Sequence, residues 1–169
     1  MTGRTELPRV DAAQIVAELI RRQLSIACAE SLTGGELTSK LVGVPGVSEV
    51  LRGGVVSYAT DLKASVLGVS RERLDANGPV DEQVATEMAR GACRLLGADV
   101  ALATTGVAGP GPSDGLPAGT VWIAISGKLG EEARLLNLSG DRVAIRSQTV
   151  TCVLGLLADH LEAAAFPGL

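Results

Sequence analysis

The chain has 169 residues with a formal net charge of −4, and we expect one domain over residues 1–169 whose core is aliphatic, since aromatic residues make up only 2%. It contains no basic run and no stretch of about 20 apolar residues, which argues against nucleic acid or a membrane as a partner. Because the N-terminus lacks an apolar signal segment and three widely spaced cysteines predict neither disulfides nor a metal site, we expect a cytoplasmic protein.

The first half of the chain alternates between helical and strand patterns. After Pro8, apolar residues recur at helical spacing, and a short apolar strand then leads into a Gly-rich turn. In order, the predictions are a helix within 10–24, a strand over 25–29, a helix over 36–42, a helical turn over 47–51, a strand ending at 58 and a short helix that begins at 60–61.

The second half continues this alternation and ends in a hairpin and a long helix. The predictions are an amphipathic helix over 81–96, a buried strand over 99–105, a Gly/Pro-rich loop over 107–118, paired strands over 119–126 and 132–138, and a last helix over 142–165 capped by Asp141. Strands that alternate with helices predict a layered α/β domain, and the late hairpin makes its sheet mixed.

The turn after the first strand, Ser31 to Gly35, is the most informative segment. A strand that feeds a Gly-rich turn and a helix N-terminus presents backbone N–H groups that bind phosphates, carboxylates or an oxyanion. Ser31 places a hydroxyl at that point, so it is a candidate nucleophile. The alternative, that Ser31 or Thr33 only caps the helix, is equally compatible with the spacing.

Three other loops at strand ends hold unusual residues. They contain Tyr58 and Lys63, then Thr105 and Gly106, and finally Arg142. In open α/β sheets ligands bind at the carboxyl ends of strands, so we expect these loops and the Ser31 turn to meet at one cleft.

A histidine-based triad is not expected, because His160 is the only histidine and lies in the last helix, where we predict an exposed position. Lys63 is then the candidate base, and its pKa would have to fall to about 7–8 for that role. The alternatives are a solvated helix surface for Lys63 and, for Tyr58, a half-buried strand position with its hydroxyl in water. Cys28 lies within the predicted strand and is read as an inert core thiol.

Arg142 and Arg146 are four residues apart and share one helical face. A cation in the first helical turn opposes the helix dipole, so Arg142 favours the approach of an anion such as a phosphate. An ion pair with Asp141 or Glu131 explains Arg142 equally well from the sequence.

Five segments taken together resemble the CinA C-terminal domain family, whose stand-alone members are nicotinamide-nucleotide amidohydrolases of the PncC type. The resemblance extends from about residue 12 to residue 160. The segments are AESLTGG at 29–35, GGVVSY at 53–58, TGVAGP at 105–110, GTVWIA at 119–124 and GDR at 140–142.

The resemblance implies a three-layer α/β/α sandwich with a mixed, mainly parallel sheet. It also implies hydrolysis of the carboxamide of nicotinamide mononucleotide to nicotinate mononucleotide and ammonia, without metal or cofactor. Ser31 falls on the family's nucleophile, and Tyr58 and Lys63 fall on its general-base machinery. Substrate contacts are expected from Glu30, Thr33, Gly34, Gly35, Thr105, Gly106 and Arg142.

The loop over 111–117 departs from the Gly-rich, Glu-Lys-containing form common in the family. The nucleotide-processing domain that often precedes this family's domain does not occur in the sequence, so activity on ADP-ribose is not expected. The alternative to an enzyme is a catalytically silent module of the same fold that binds a nucleotide or regulates a partner. Whether the chain forms a homo-oligomer is not determined by its sequence.

Overall fold

The computed structural model describes residues 5–165, which form six α-helices, five strands and one 3₁₀ turn. The helices are α1 (Ala12–Arg22), α2 (Glu36–Val42), α3 (Thr60–Ser65), α4 (Arg71–Asn77), α5 (Glu82–Leu96) and α6 (Arg142–Ala165). The strands are β1 (Ile26–Glu30), β2 (Leu51–Val56), β3 (Val100–Gly106), β4 (Thr120–Gly127) and β5 (Glu132–Asn137), and the 3₁₀ turn covers Val47–Glu49.

The strands form one sheet in the order β2-β1-β3-β4-β5. β1 pairs in parallel with β2 and β3, whereas β4 is antiparallel to both β3 and β5. The parallel and antiparallel pairings are therefore equal in number, and only β4 runs against the other four strands. The predicted α/β class with a mixed sheet is confirmed.

Apolar clusters cover both faces of the sheet and give the domain its three layers. On one face, Ile26, Cys28 and Leu102 pack beneath α1, α2 and α6. On the other face, Ala27 and Ala29 and further alanines of β3 and β4 pack against α5 and the segment that contains α3 and α4. Small side chains on this second face let α5 lie close to the sheet, which agrees with a core poor in aromatic residues.

Most elements fall where the sequence predicts them. α2 covers the predicted residues, Asp81 caps α5 and Asp141 caps α6. α4 was not predicted, because it is short and has a single buried residue, Leu74. The predicted strand through Tyr58 ends at Val56, so Tyr58 lies in the following loop. No helix within residues 5–165 is long and apolar enough to cross a membrane.

The sheet places the ends of its three parallel strands at one edge. Glu30 at the end of β1 is level with Val56 of β2 and Thr104 of β3. The loops that follow these strands therefore leave the sheet side by side, and the N-terminus of α6 reaches the same edge through Arg142. These loops enclose a cleft.

Candidate active site

The cleft, of about 240 Å³, lies at the carboxyl edge of the parallel strands. All four predicted loops contribute to it, together with a fifth segment that was not predicted, Pro79 and Val80 between α4 and α5. The lining residues are Ser31, Leu32, Tyr58, Thr60, Lys63, Pro79, Val80, Arg142 and the stretch from Thr105 to Asp114. A larger groove of about 840 Å³ between α1, α2 and α6 lies elsewhere, and its ionisable residues are not buried.

Ser31 begins the turn that connects β1 to α2. Its backbone N–H donates to the carbonyl of Thr104 (3.0 Å), and its own carbonyl accepts from Gly34 N–H (3.1 Å). The side chain is 8% exposed and lines the cleft. The hydroxyl is therefore fixed at the end of β1, within reach of a ligand in the cleft.

The N-terminus of α2 is capped by Glu30, which corrects two predictions. The Glu30 carboxylate accepts hydrogen bonds from the N–H groups of Gly35 (3.2 Å), Leu37 (2.9 Å) and Thr38 (3.0 Å) and from the Thr38 hydroxyl (2.6 Å). These donors are the ones expected to bind a phosphate or an oxyanion, and a buried anion of the protein already satisfies them. Neither Ser31 nor Thr33 caps the helix, since the cap position is Gly35.

Four of the predicted substrate contacts do not line the cleft. Glu30 is fully buried beneath α2, and Thr33 is buried with its hydroxyl bonded to that of Thr104 (2.8 Å). Gly34 and Gly35 have φ angles of +58° and +100°, which only glycine adopts readily, so they shape the turn. Glu30 and Thr33 bond to α2 and to β3, and the two glycines give the Ser31 turn its backbone conformation.

Lys63 lies beneath the cleft and contacts Ser31 directly. Its side chain is 1% exposed, and Nζ is 3.0 Å from Ser31 Oγ, 2.7 Å from the Ser57 carbonyl and 3.5 Å from the Tyr58 carbonyl. All three partners are neutral oxygens. Burial without a counter-charge disfavours the ammonium form and lowers the pKa of Lys63 to about 8. The alternative of a solvated lysine is wrong.

The three contacts of Nζ suit a base. In a neutral amine, two N–H groups donate to the carbonyls of Ser57 and Tyr58, and the lone pair then faces Ser31 Oγ. The Ser57 N–H donates to the Glu30 carbonyl (2.9 Å), and Glu30 is bonded to Ser31. A closed ring of contacts thus fixes the separation of hydroxyl and amine.

Tyr58 and Arg142 meet across the mouth of the cleft. Arg142 donates to the Tyr58 hydroxyl (2.9 Å) and to the Gly109 carbonyl (2.7 Å), and Tyr58 is 59% exposed. Tyr58 therefore contacts Lys63 through its carbonyl, and its hydroxyl contacts Arg142. Within residues 5–165 Arg142 forms no ion pair with Asp141 or Glu131, the latter being paired with Arg90.

Thr105 and Gly106 line the wall of the cleft at the end of β3. The Thr105 hydroxyl donates to the Pro79 carbonyl (2.7 Å) and so holds the fifth segment in position. A Cβ at Gly106 would lie 2.7 Å from the Thr120 carbonyl oxygen, which excludes any larger residue there. Both residues therefore shape the wall of the cleft.

Arg146 supports the Ser31 turn from the other side. Its Nε donates to the Leu32 carbonyl and its Nη2 to the Thr33 carbonyl, both at 2.9 Å, and Nη2 lies 3.4 Å from the Glu36 carboxylate. The spacing to Arg142 placed both arginines on one face of α6, but the tertiary packing gives them different partners.

Two candidate groups lie outside the cleft. Burial raises the pKa of Cys28 to about 12, which agrees with an inert core thiol. His160 is remote, as predicted, but not solvated: its side chain is 16% exposed, and its ring nitrogens contact the Leu129 carbonyl and the Glu132 carboxylate, both at 2.9 Å. The ring packs against the β4–β5 turn, which the helical pattern of α6 does not reveal.

Comparison with known families agrees with this architecture. The family model of the CinA C-terminal domain matches residues 10–161. The chain belongs to this family. A CinA-like protein of Frankia casuarinae is 46% identical over 143 residues, which is 85% of this chain, and one of Fervidobacterium nodosum is 39% identical over 140 residues, 82% of this chain. The chain spans about a third of the length of these relatives, 33% and 34%.

Solved structures of the CinA superfamily share the fold over most of their length. A superfamily protein from Klebsiella pneumoniae has a TM-score of 0.86 at 35% identity, and the match covers 89% of this chain and 95% of that one. A second, from Escherichia coli, has a TM-score of 0.85 at 32% identity and covers 92% and 95%. The CinA fold therefore extends over about nine-tenths of this chain.

Sequence reasoning missed three features of the site. Pro79 and Val80 follow Gly78, and the Gly-Pro pair predicts a loop. The sequence does not show which part of the fold this loop contacts. The carbonyls of Ser57 and Tyr58 hold Lys63 through backbone atoms, which residue identity does not encode. Arg146 was noted only for its spacing to Arg142.

Proposed function

We propose that this protein is an amidohydrolase that converts nicotinamide mononucleotide to nicotinate mononucleotide and ammonia. The observation that supports this most strongly is the buried Lys63 amine 3.0 Å from the Ser31 hydroxyl. A nucleophile within hydrogen-bond distance of a base with a lowered pKa is the arrangement that acyl transfer requires. The choice of substrate rests on the resemblance of the site motifs to the family's amidohydrolases.

The reaction proceeds in two stages. Neutral Lys63 accepts the Ser31 proton while Oγ attacks the carboxamide carbon, and the C–N bond then breaks as the Lys63 ammonium returns the proton to the departing nitrogen. This gives an acyl-enzyme and ammonia. In the second stage Lys63 accepts a proton from water, the hydroxide attacks the acyl carbon, and the Ser31 oxygen leaves with that proton.

The oxyanion of each tetrahedral intermediate needs donors other than the N-terminus of α2. The Leu32 N–H follows the nucleophile directly, and Leu32 lines the cleft. Within residues 5–165 neither this group nor the N–H groups of Ala108 and Gly109 donate to a protein acceptor. These three groups are therefore the donors that we assign to the oxyanion.

Arg142 supplies the positive charge for the substrate's phosphate at the cleft mouth. Two of its five N–H groups contact Tyr58 and Gly109, which leaves three for a ligand. Arg142 contacts both walls of the cleft at its mouth. A nucleotide whose phosphate binds Arg142 would therefore extend from the mouth towards Ser31.

Release of ammonia from nicotinamide mononucleotide, measured with a coupled dehydrogenase and by chromatography of the acid product, tests the proposal. Ser31→Ala should retain the fold and ligand binding and lose turnover by several orders of magnitude. Ser65→Ala is the matched control, since Ser65 is exposed on the helix that carries Lys63. Binding of the mononucleotide without ammonia release from the wild-type protein would instead establish a silent nucleotide-binding module.

A further inference from the structure

Within residues 5–165, no carboxylate contacts the amine of Lys63. Its contacts are one hydroxyl and two carbonyls, and Glu30, the carboxylate nearest in sequence to Ser31, is engaged by α2. Below a pH of about 8 the cleft floor therefore carries a buried positive charge. A buried unpaired charge raises the free energy of the empty site, and an anion that enters the cleft relieves that penalty.

We infer that the Ser31–Lys63 site is a receptor for a carboxylate and binds a pyridine 3-carboxylate mononucleotide more tightly than the matching carboxamide at neutral pH. This inference rests on the proposed function, since it identifies the acid product as the ligand that the resting site prefers. The product thus inhibits the enzyme, and the reaction slows until a following reaction that consumes the acid removes it.

The charges around Lys63 favour this selectivity. The other charged or titratable side chains of the cleft are Tyr58, Arg142 and Asp114, from three different segments. Arg142 serves the phosphate, which acid and amide share, so it does not distinguish between them. Asp114 is exposed on the outer loop and repels both phosphates equally. Lys63 is therefore the residue that causes the difference in affinity between acid and amide.

The coupling between carboxylate binding and protonation of Lys63 gives the expected difference in affinity between acid and amide. A carboxylate within about 4–6 Å of a cation shifts its pKa by about 1–3 units, which corresponds to about 10- to 1000-fold in affinity between the ammonium and the neutral amine. The acid should therefore bind tightly below pH 8 and lose affinity as the pH rises from about 8, because Lys63 deprotonates in the free site. The affinity of the neutral carboxamide should change little over this range.

Calorimetric titration tests this, with nicotinate mononucleotide and nicotinamide mononucleotide as ligands of the full chain at pH 6.5, 8.5 and 9.5. Both ligands are titrated into the Ser31→Ala variant, so that turnover does not interfere, and the acid is also titrated into the wild type. At pH 6.5 we expect the acid to bind at least about tenfold more tightly than the amide. At pH 8.5, buffers of different ionisation enthalpy should reveal an uptake of roughly half a proton per acid bound and none for the amide.

Three lysine variants test whether the charge of Lys63 causes the preference for the acid. Lys63→Met should abolish the preference for the acid and the proton uptake, whereas Lys63→Arg should keep the preference at every pH without uptake, because guanidinium does not titrate. Lys40→Met, on an exposed face of α2, should behave as wild type. Equal affinities for acid and amide, or a preference that survives in Lys63→Met, would overturn the inference. Acid-selective binding without ammonia release would overturn the proposed function and with it the product inhibition, and would leave the carboxylate selectivity of the Ser31–Lys63 site standing.

Discussion

Replacing Lys63 by methionine should abolish turnover and yet stabilise the fold at neutral pH. The Lys63 side chain is 1% exposed, and in the part of the chain that the structure describes no carboxylate contacts its ammonium group. Methionine has nearly the same length and fills the same space without a charge. The variant therefore removes the penalty of burying the charge with little change in packing.

The pKa of Lys63 determines how much the methionine variant is stabilised. Burial lowers it from the ordinary value of 10.5 to about 8. At about 1.4 kcal/mol per unit, this corresponds to about 3 kcal/mol of destabilisation of the native state at neutral pH. The methionine side chain leaves the Ser57 and Tyr58 carbonyls without their donor, which offsets part of the gain. A net stabilisation of about 1–3 kcal/mol is expected from these two opposing effects.

The difference in stability between Lys63→Met and the wild type depends on pH. Between about pH 8 and 10.5 the unfolded chain holds the Lys63 proton and the native protein does not, so the wild-type stability rises with pH in that interval. Below about pH 8 both states hold the proton, and the penalty is fully present. The advantage of Lys63→Met should therefore be largest at pH 6–7 and disappear as the pH approaches 10.5.

Urea unfolding of wild type and Lys63→Met at pH 6.5, 8 and 9.5 measures the difference, with the slope in denaturant checked for constancy. Lys40→Met serves as the control for removing an exposed lysine, and its stability should stay within about 0.5 kcal/mol of the wild type. If Lys63→Met were less stable than wild type at pH 6.5, or if its advantage did not vary with pH, the buried charge would not be the main cause of the difference in stability.

Three further predictions concern the two arginines and the packing of α5. Arg142→Ala should raise the KM for the mononucleotide at least tenfold and change that for the riboside, which lacks the phosphate, much less; equal losses in steady-state assays would place the phosphate elsewhere. Arg146→Lys should lower kcat about 10- to 100-fold with little change in KM, since one ammonium cannot span the two carbonyls of the Ser31 turn, and an unchanged kcat would show that the turn is rigid without it. Gly91→Ala should lower the free energy of unfolding by about 1–3 kcal/mol despite the better helix propensity of alanine, because its Cβ would lie 2.0 Å from the Leu67 carbonyl oxygen; thermal denaturation with an unchanged or raised Tm would contradict this.

Local patterns in the sequence determined most of the secondary structure and the layered α/β class. The apolar spacing of α5 and the alternation of the β4–β5 hairpin are local properties, and capping by Asp81 and Asp141 depends on neighbouring residues only. The sequence also placed the Ser31 turn at the end of β1, because a strand followed by Ser, Thr and two glycines is itself a local motif. The cleft was predicted at the correct edge of the sheet from the fold class, because open α/β sheets bind ligands at the carboxyl ends of their strands.

Only the tertiary structure decided which groups face the cleft and how they are charged. Lys63 belongs to a short helix whose own sequence fits a solvated surface, and it is buried against Ser31 and Ser57, which lie outside that helix. The resemblance assigns Glu30 to the substrate, but its carboxylate lies beneath α2 and accepts hydrogen bonds from Leu37 and Thr38, because folding brings the N-terminus of α2 over it. Whether an ionisable group is a base, a cap or a ligand contact depends on its solvent exposure and on the partners that folding brings to it, and neither is encoded in local spacing.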